Sequence, residues 1–286
     1  MKDVELLAPA GNFSKLKTAI YFGADAVYLG GKDFSLRSFA DNFSREELAE
    51  AVKYAHERGK KVYVTVNIYA RNGDLALMED YFAFLQQAGA DAALISDPGV
   101  LYAAKKAAPK LAVHISTQAN ITNKYAVKFW REQGAARAVL ARELSLAEIA
   151  EIHDFVPDME LEAFVHGAMC ISYSGRCLLS DYLTGRPSNR GECAQACRWN
   201  YSIRKKDDKS DSGWLDMEQD ERGAYILNSK DLNMSAYLDK MCEAGVYSFK
   251  IEGRMKSEYY LATVINAYLR CIDGGFSPVV ERELLT

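Results

Sequence analysis

The chain has 286 residues, of which 49% are hydrophobic, and it carries a formal net charge of −4 at pH 7. It can therefore bury the core of one large domain, and its acidic balance argues against indiscriminate binding to nucleic acid, although a local basic rim could still bind RNA. It shows neither a secretion signal nor an apolar stretch long enough to cross a bilayer, so we expect a cytoplasmic protein that is not inserted in a membrane.

Short β-branched or apolar runs alternate along the chain with longer amphipathic runs, a pattern typical of βα units around a parallel sheet. The predicted strands are residues 5–8, 26–29, 61–68, 92–96, 112–117, 138–141, 160–166 and 247–251. The predicted helices are residues 12–22, 45–58, 75–88, 99–107, 124–133, 146–155, 235–244 and 258–272. Eight such units predict an α/β fold in which a single domain, residues 1–286, forms a (β/α)8 TIM-like barrel.

The regular alternation breaks once, at residues 167–228, where cysteines, several glycines and a charged run replace the expected helix. We interpret this segment as a cysteine-containing insertion after the seventh strand. Loops at the carboxyl ends of barrel strands form the active sites of such barrels. The insertion is therefore expected to lie at the functional mouth.

Four of the six cysteines fall inside this insertion, at Cys170, Cys177, Cys193 and Cys197, separated by six, fifteen and three residues. Thiolates grouped in this way without a secretory context usually bind zinc or an iron–sulfur cluster. Zinc ribbons use two tight Cys-x2-4-Cys pairs, and only Cys193 with Cys197 matches such a pair. The spacing favours an iron–sulfur cluster and leaves zinc and purely structural cysteines open.

Polar residues gather on one face of several predicted strands, the face that points into the barrel. This face carries Asn67 on the third strand, His114 and Gln118 on the fifth, Glu162 and His166 on the seventh, and Lys250, Glu252 and Arg254 on the eighth. Barrel interiors are normally filled by branched apolar side chains, so ionisable groups there must be paired or must bind something polar. The pattern predicts a polar ligand pocket in the upper barrel.

Two kinds of role are open for these side chains. Arg142, Arg254 and Arg176 could bind carboxylates in bidentate fashion, which suggests an anionic small molecule as ligand. Asn67, Gln118 and Lys250 are further candidates for substrate binding. The candidates for acid/base work, or for holding a catalytic metal, are His114, Glu162, His166 and Glu252.

Long segments of the chain resemble the peptidase U32 family, also called collagenase-like proteases. The matching segments are residues 5–11 (ELLAPAG), 114–118 (HISTQ), 142–145 (RELS), 162–170 (EAFVHGAMC), 174–180 (SGRCLLS), 189–193 (NRGEC) and 249–256 (FKIEGRMK). In the family's hydroxylating branches, the resemblance implies a barrel with a [4Fe-4S] cluster on four cysteines. Those branches act in hydroxylation of the tRNA wobble uridine or of ribosomal RNA, with prephenate implicated as co-substrate, and in oxygen-independent ubiquinone synthesis.

Other members of the family are described as proteases, but the chain shows neither a Gly-x-Ser-x-Gly elbow nor a His-Glu-x-x-His helix. Our first hypothesis is therefore an iron–sulfur enzyme that hydroxylates the wobble uridine of tRNA. The alternatives are a metal-dependent peptidase, with the metal on His114, His166 and Glu252 or Glu162, and a noncatalytic subunit that carries the cluster for a partner, such as a second family subunit. Many relatives carry a further cysteine where this chain has Asn233, so Cys197 is the ligand assignment that the structure must test.

Overall fold

A computed structural model describes residues 4–36, 41–199 and 231–285, together with the backbone of four two-residue strands between 203 and 224. The barrel strands are β1 Glu5–Ala10, β2 Ala26–Gly30, β3 Lys61–Thr65, β4 Ala92–Ile95, β5 Ala112–Ile115, β6 Arg137–Val139, β7 Glu160–Gly167 and β8 Val246–Ile251. The α-helices are α1 Phe13–Tyr21, α2 Arg45–His56, α3 Asn72–Ala88, α4 Pro98–Ala107, α5 Lys124–Glu132, α6 Leu146–Phe155, α7 Leu179–Thr184, α8 Leu238–Glu243, α9 Glu258–Gly274 and α10 Pro278–Leu285.

The eight strands form a closed parallel barrel. Each strand pairs with its neighbours in chain order, and β8 pairs with both β7 and β1, which closes the ring. The predicted (β/α)8 architecture is therefore confirmed. Helices α7 and α10 were not predicted, and the predicted helix 235–244 is a 3-10 turn, Ser235–Tyr237, followed by α8.

Apolar side chains form two separate clusters on the two faces of the sheet. The larger cluster lies between the strands and the surrounding helices, and contains residues such as Val62 and Val64 of β3 and Leu261 and Ile265 of α9. The smaller cluster fills part of the barrel interior, around Tyr28 of β2. Burial between the sheet and the helices therefore supplies most of the hydrophobic stabilisation, and the interior is left partly polar.

Strand β3 ends three residues earlier than predicted. Beyond Thr65, the amides of Asn67 and Ile68 donate to the carbonyl of Phe34, in the loop after β2. The chain thus leaves the hydrogen-bonded sheet at the barrel mouth, and Asn67 lies over the mouth. Among the described residues, no helix is long and apolar enough to span a membrane.

Candidate active site at the barrel mouth

The cysteine insertion begins and returns at the carboxyl end of β7. The residues that follow it form a two-residue strand, Leu232–Asn233, that pairs antiparallel with β7 at Gly167 and His166. The chain therefore enters the insertion from β7 and returns to the same strand end after it. The predicted position of the insertion is confirmed for the described residues, whereas most of 200–230 lies outside them.

Contacts on the opposite side of the rim hold the insertion across the mouth. The side-chain amide of Asn120, in the loop after β5, donates to the carbonyl of Ser174 at 3.2 Å. Arg190 donates to Asp74, in the first turn of α3, at 2.7 Å and to the carbonyl of Tyr69 at 2.8 Å. These ties span from β7 to the loops after β3 and β5, so the insertion roofs the barrel.

An open cavity of about 1090 Å³, a volume that includes solvent space at its mouth, lies between this roof and the strand ends. Its floor and walls include Tyr28, Thr65, Asn67, Ser116, Gln118, Arg142, Phe164, Lys250, Glu252 and Arg254. Its roof includes Cys170, Ser174, Gly175, Cys177, Ser180, Cys193 and Cys197. All four cysteines of the insertion thus share one cavity with three cationic side chains.

The thiols are half-buried and lie close enough to influence one another. Burial raises the pKa of the Cys197 thiol, and the charges of Cys170 and Cys193 raise it further. Two backbone amides already donate to sulfur, Leu179 to Cys177 and Gln195 to Cys193, each at 3.4 Å. Hydrogen bonds of this kind are part of the protein's control over thiolate-bound metals.

The chemistry of the donor set fits a thiolate-bound metal centre. Four cysteines of one insertion line the same cavity, and soft sulfur ligands are those of an iron–sulfur cluster or of zinc. A four-iron cluster would give each thiolate its own iron, whereas one zinc would share all four.

Position 233 bears on the choice of the fourth thiol. The Asn233 side chain accepts a hydrogen bond from the amide of Ser235 at 3.1 Å and from the hydroxyl of Tyr268 at 3.3 Å. It is not part of the cavity lining, whereas Cys197 is. Of the two positions, only Cys197 therefore lies at the cavity that holds the other three cysteines.

The cationic wall of the cavity is held in place by neighbouring side chains. Arg254 is buried and donates to the hydroxyls of Ser35 at 2.8 Å and Thr65 at 3.0 Å. A Cβ at Gly30 would collide with the same guanidinium, so glycine there leaves the room that it occupies. Arg142 stacks on the ring of Phe164 with its guanidinium carbon 3.8 Å from the ring centre. Both arginines are thus positioned before any ligand arrives.

The predicted substrate-binding residues are not all brought together. Asn67, Gln118, Arg142, Lys250 and Arg254 line the cavity. Arg176 is exposed and lies over the ring of Tyr69 at 5.6 Å, outside the lining. Of the four predicted acid/base candidates, only Glu252 is part of the cavity wall.

A chain of buried charges fills the barrel below the cavity. Glu162 accepts from Lys250 at 2.6 Å and from Arg137 at 3.2 Å, and Arg137 also donates to Glu5 at 2.6 Å. Burial opposes ionisation of Glu5, but the Arg137 charge and hydrogen bonds lower the pKa of that carboxyl overall. Tyr63 and Ser248 also donate to Glu5. Sequence analysis missed Glu5 and Arg137, although both are charged residues at the start of apolar strands.

His114 lies on the inner face of β5, as predicted, but beneath the cavity. Its ring packs edge-on against Tyr63, with 4.7 Å between ring centres, and its Nδ1 has no hydrogen-bond partner among the described residues. Burial and the charges of Arg137 and Lys250 hold the pKa of His114 well below its usual value. The imidazole is therefore neutral at physiological pH.

The prediction that His166 shares the inner face with Glu162 and Phe164 is wrong. Its ring lies against Tyr268 and Tyr260 of α9, on the helix side of the sheet, and Nδ1 is 3.3 Å from the Tyr268 hydroxyl. The reason is a shift in register, because Lys250 pairs with Phe164 but Ile251 pairs with His166. One extra residue on β7 reverses the alternation of side chains beyond that point.

Comparisons with known proteins extend over nearly the whole chain. The model of peptidase family U32 matches residues 11–283. The chain is 47% identical to tRNA hydroxylation protein P1 of Bacillus subtilis, over 99% of this chain and 67% of that protein. It is 40% identical to tRNA hydroxylation protein P of Escherichia coli K12, over 95% of this chain and 68% of that protein. The chain thus spans about two thirds of the length of these curated relatives.

The solved structure of the U32 peptidase Mk0906 aligns with a TM-score of 0.56 at 13% sequence identity, covering 87% of this chain and 93% of that one. At such low identity the similarity concerns the fold alone.

Proposed function

Since the chain belongs to peptidase family U32, we propose that it is an iron–sulfur enzyme of RNA modification that hydroxylates the wobble uridine of tRNA in the cytoplasm. The single observation that carries this proposal is the shared cavity. Four thiols from the insertion and three cations from the barrel face one space, beside an open mouth through which a nucleotide could enter. The relatives named as tRNA hydroxylation proteins support RNA as the substrate class.

Cys170, Cys177, Cys193 and Cys197 would hold a [4Fe-4S] cluster in the roof of the cavity. When bound there, such a cluster supplies one-electron redox chemistry next to the substrate site. The amides of Leu179 and Gln195 would continue to donate to two of its thiolates. The hydrogen bonds from Asn120 to Ser174 and from Arg190 to Asp74 would hold the four ligands in place over the barrel.

Arg142 and Arg254 would bind the carboxylates of an anionic small molecule, for which prephenate is the proposed co-substrate. A guanidinium offers two parallel donors to a carboxylate, and a preformed pair of such groups loses little conformational freedom on binding. Asn67 and Gln118 would supply neutral hydrogen-bonding groups on the other wall. The small molecule and the roof cysteines would then be in direct proximity.

The RNA would approach from the rim. A base must leave its stack before an enzyme can reach its ring atoms, which is least costly in a single-stranded loop such as the anticodon. Tyr173, Tyr182 and Trp199 project from the insertion with 45%, 86% and 44% of their surface exposed, and exposed aromatic rings can stack on unpaired bases. Trp130, by contrast, is buried and takes no part in this surface.

The structure offers no positive support for the peptidase alternative. His166 faces α9, His114 and Glu162 lie below the cavity, and Glu252 is part of its wall. Within the described residues these side chains form no group that could hold a hydrolytic metal.

Anaerobic purification provides the first test. We expect about four iron and four sulfide per chain with a broad visible absorbance, both lost in Cys197→Ser and retained in Cys242→Ser, whose thiol lies outside the cavity. A colourless protein with stoichiometric zinc would refute the cluster.

The second test compares tRNA nucleosides from a strain lacking the gene with those from complemented strains. Restoration of 5-hydroxyuridine-derived nucleosides by Cys242→Ser but not by Cys197→Ser is expected.

A requirement for a second family subunit would appear when the purified chain is tested on tRNA in vitro. The chain alone would then fail to modify the tRNA, although the deletion strain lacks the modification. Full in vitro activity with cluster, small molecule and tRNA would establish the chain as the catalyst. An unchanged nucleoside profile in the deletion strain would contradict the proposed function.

A further inference from the structure

Lys250 occupies the floor of the cavity and is the cation whose position is least explained by binding a carboxylate. It lies near the carboxyl end of β8, is 3% exposed, and its amine is 4.3 Å from the ring centre of Tyr28. The ring of Phe164 lies 5.4 Å from the amine and 3.8 Å from the guanidinium of Arg142. Both cations therefore lie next to the same ring, and all three residues line the cavity.

The surroundings of Lys250 favour a reactive amine. Burial lowers the pKa of its ammonium, the Glu162 carboxylate opposes this, and the charges of Arg137 and Arg142 lower it further. A lysine that is desolvated and flanked by other cations is the usual form of a nucleophilic lysine, because both features favour its neutral form. Catalytic residues of such barrels also come from the carboxyl ends of the strands.

A carboxylate at one end and a carbonyl next to it would match this arrangement. Arg142 and Arg254 would recognise the carboxylate, and the Lys250 amine lies near the Phe164 ring on which Arg142 stacks. The ligand class in which these two groups are adjacent is the 2-oxo acids. We propose that Lys250 forms a Schiff base with the carbonyl carbon of a 2-oxo acid whose carboxylate is bound by Arg142 and Arg254. This step rests on the proposed function in taking its anionic small molecule as the ligand.

The step balances without an oxidant or reductant. Glu162, 2.6 Å from the amine, accepts the ammonium proton, and the neutral amine attacks the carbonyl carbon and gives up one of its own protons to the carbonyl oxygen. The proton held by Glu162 then goes to the hydroxyl of the carbinolamine, which leaves as water, and a protonated C=N bond remains. One ammonium and one ketone thus give one protonated imine and one water.

Reductive trapping tests the proposal on the purified holoprotein. Phenylpyruvate with cyanoborohydride should add one ligand per chain, with a mass increase equal to phenylpyruvate less one oxygen atom. Peptide mapping should place the adduct on Lys250. Phenyllactate, which has a hydroxyl in place of the carbonyl, should add nothing.

Two variants separate this reaction from simple binding. Lys250→Arg keeps the positive charge beside Glu162 but cannot form an imine, so labelling should fall to the level of surface lysines while iron content and unfolding temperature stay near those of the parent. Arg142→Gln should require about tenfold more phenylpyruvate for half-maximal labelling, because a charge-assisted contact is lost. Labelling spread evenly over surface lysines, or unchanged in Lys250→Arg, would overturn the proposal. Since trapping needs no RNA, its failure is distinct from failure of the proposed RNA hydroxylation.

Discussion

Arg190 on the cysteine insertion and Asp74 on α3 form an ion pair across the barrel mouth, with 2.7 Å between guanidinium nitrogen and carboxylate oxygen. The hydrogen bond from Arg190 lowers the pKa of the Asp74 carboxyl, whose other partner is the backbone amide of Arg71. Arg190 also donates to the carbonyl of Tyr69. This single side chain thus joins the roof of the cavity to the rim beyond β3.

We predict that Arg190→Gln weakens cluster retention more than it weakens the fold. The pair is partly exposed, so its loss should change the free energy of unfolding by only about 1 kcal/mol. The roof ligands, however, would lose their tie to the barrel. Iron release to a chelator should accelerate several-fold, as followed by the decay of visible absorbance. Arg45→Gln, which removes an exposed pair between α2 and Asp80 of α3, serves as the control and should leave iron release unchanged.

The buried charge chain leads to a prediction about stability. Glu162 is fully buried between Arg137 and Lys250, so Glu162→Gln leaves two buried cations short of a partner. Breaking a buried pair from one side typically costs about 3–5 kcal/mol. Denaturant unfolding of the apoprotein should show a loss of this size. Glu79→Gln, which breaks an exposed pair with Lys106, should cost less than about 1 kcal/mol, and equal losses in the two variants would contradict the structural role assigned to Glu162.

His166 should make the fold sensitive to acid. Burial lowers its pKa from the usual 6.5 to about 4, so the unfolded chain takes up a proton at a higher pH than the native protein does. The share of the free energy of unfolding that depends on a neutral His166 is therefore fully present above about pH 6.5 and is lost as the pH falls toward 4. It amounts to roughly 3 kcal/mol. Urea unfolding of the parent and of His166→Gln at several pH values gives the test. The stability difference between them should shrink by this amount between pH 7 and pH 4, whereas a constant difference would exclude the assignment.

The barrel and its polar interior were predictable because periodicity in sequence maps directly onto the two faces of a strand. Lys250, Glu252 and Arg254 were placed in the cavity from alternation alone, and all three line it. His166 was misplaced because one unpaired residue on β7 reverses the alternation, and a sequence carries no local mark of such a shift.

Contacts between residues far apart in sequence could not be predicted either. The pairing of Glu5 with Arg137 joins strands that are 132 positions apart, and it depends on the barrel closing in one register. The same holds for the ties of the roof, such as Asn120 to Ser174. The clustering of cysteines in sequence suggested a shared site, but only the folded roof puts Cys197, and not position 233, in the cavity wall.

Gly175, in the roof, can be used to test the contact between the insertion and Gln118 of the barrel. Its φ of +76° favours glycine, and a Cβ there would also collide with the side-chain oxygen of Gln118 in the cavity wall. Gly185 has a similar φ of +68° on the same insertion, but a Cβ there meets nothing within 4 Å. Alanine at either position costs about 1 kcal/mol of backbone strain, and only Gly175→Ala adds the collision. We therefore expect Gly175→Ala to lose iron during anaerobic purification while Gly185→Ala retains it. Equal iron content in the two variants would contradict the prediction and would mean that the Gln118 side chain moves aside without disturbing the roof.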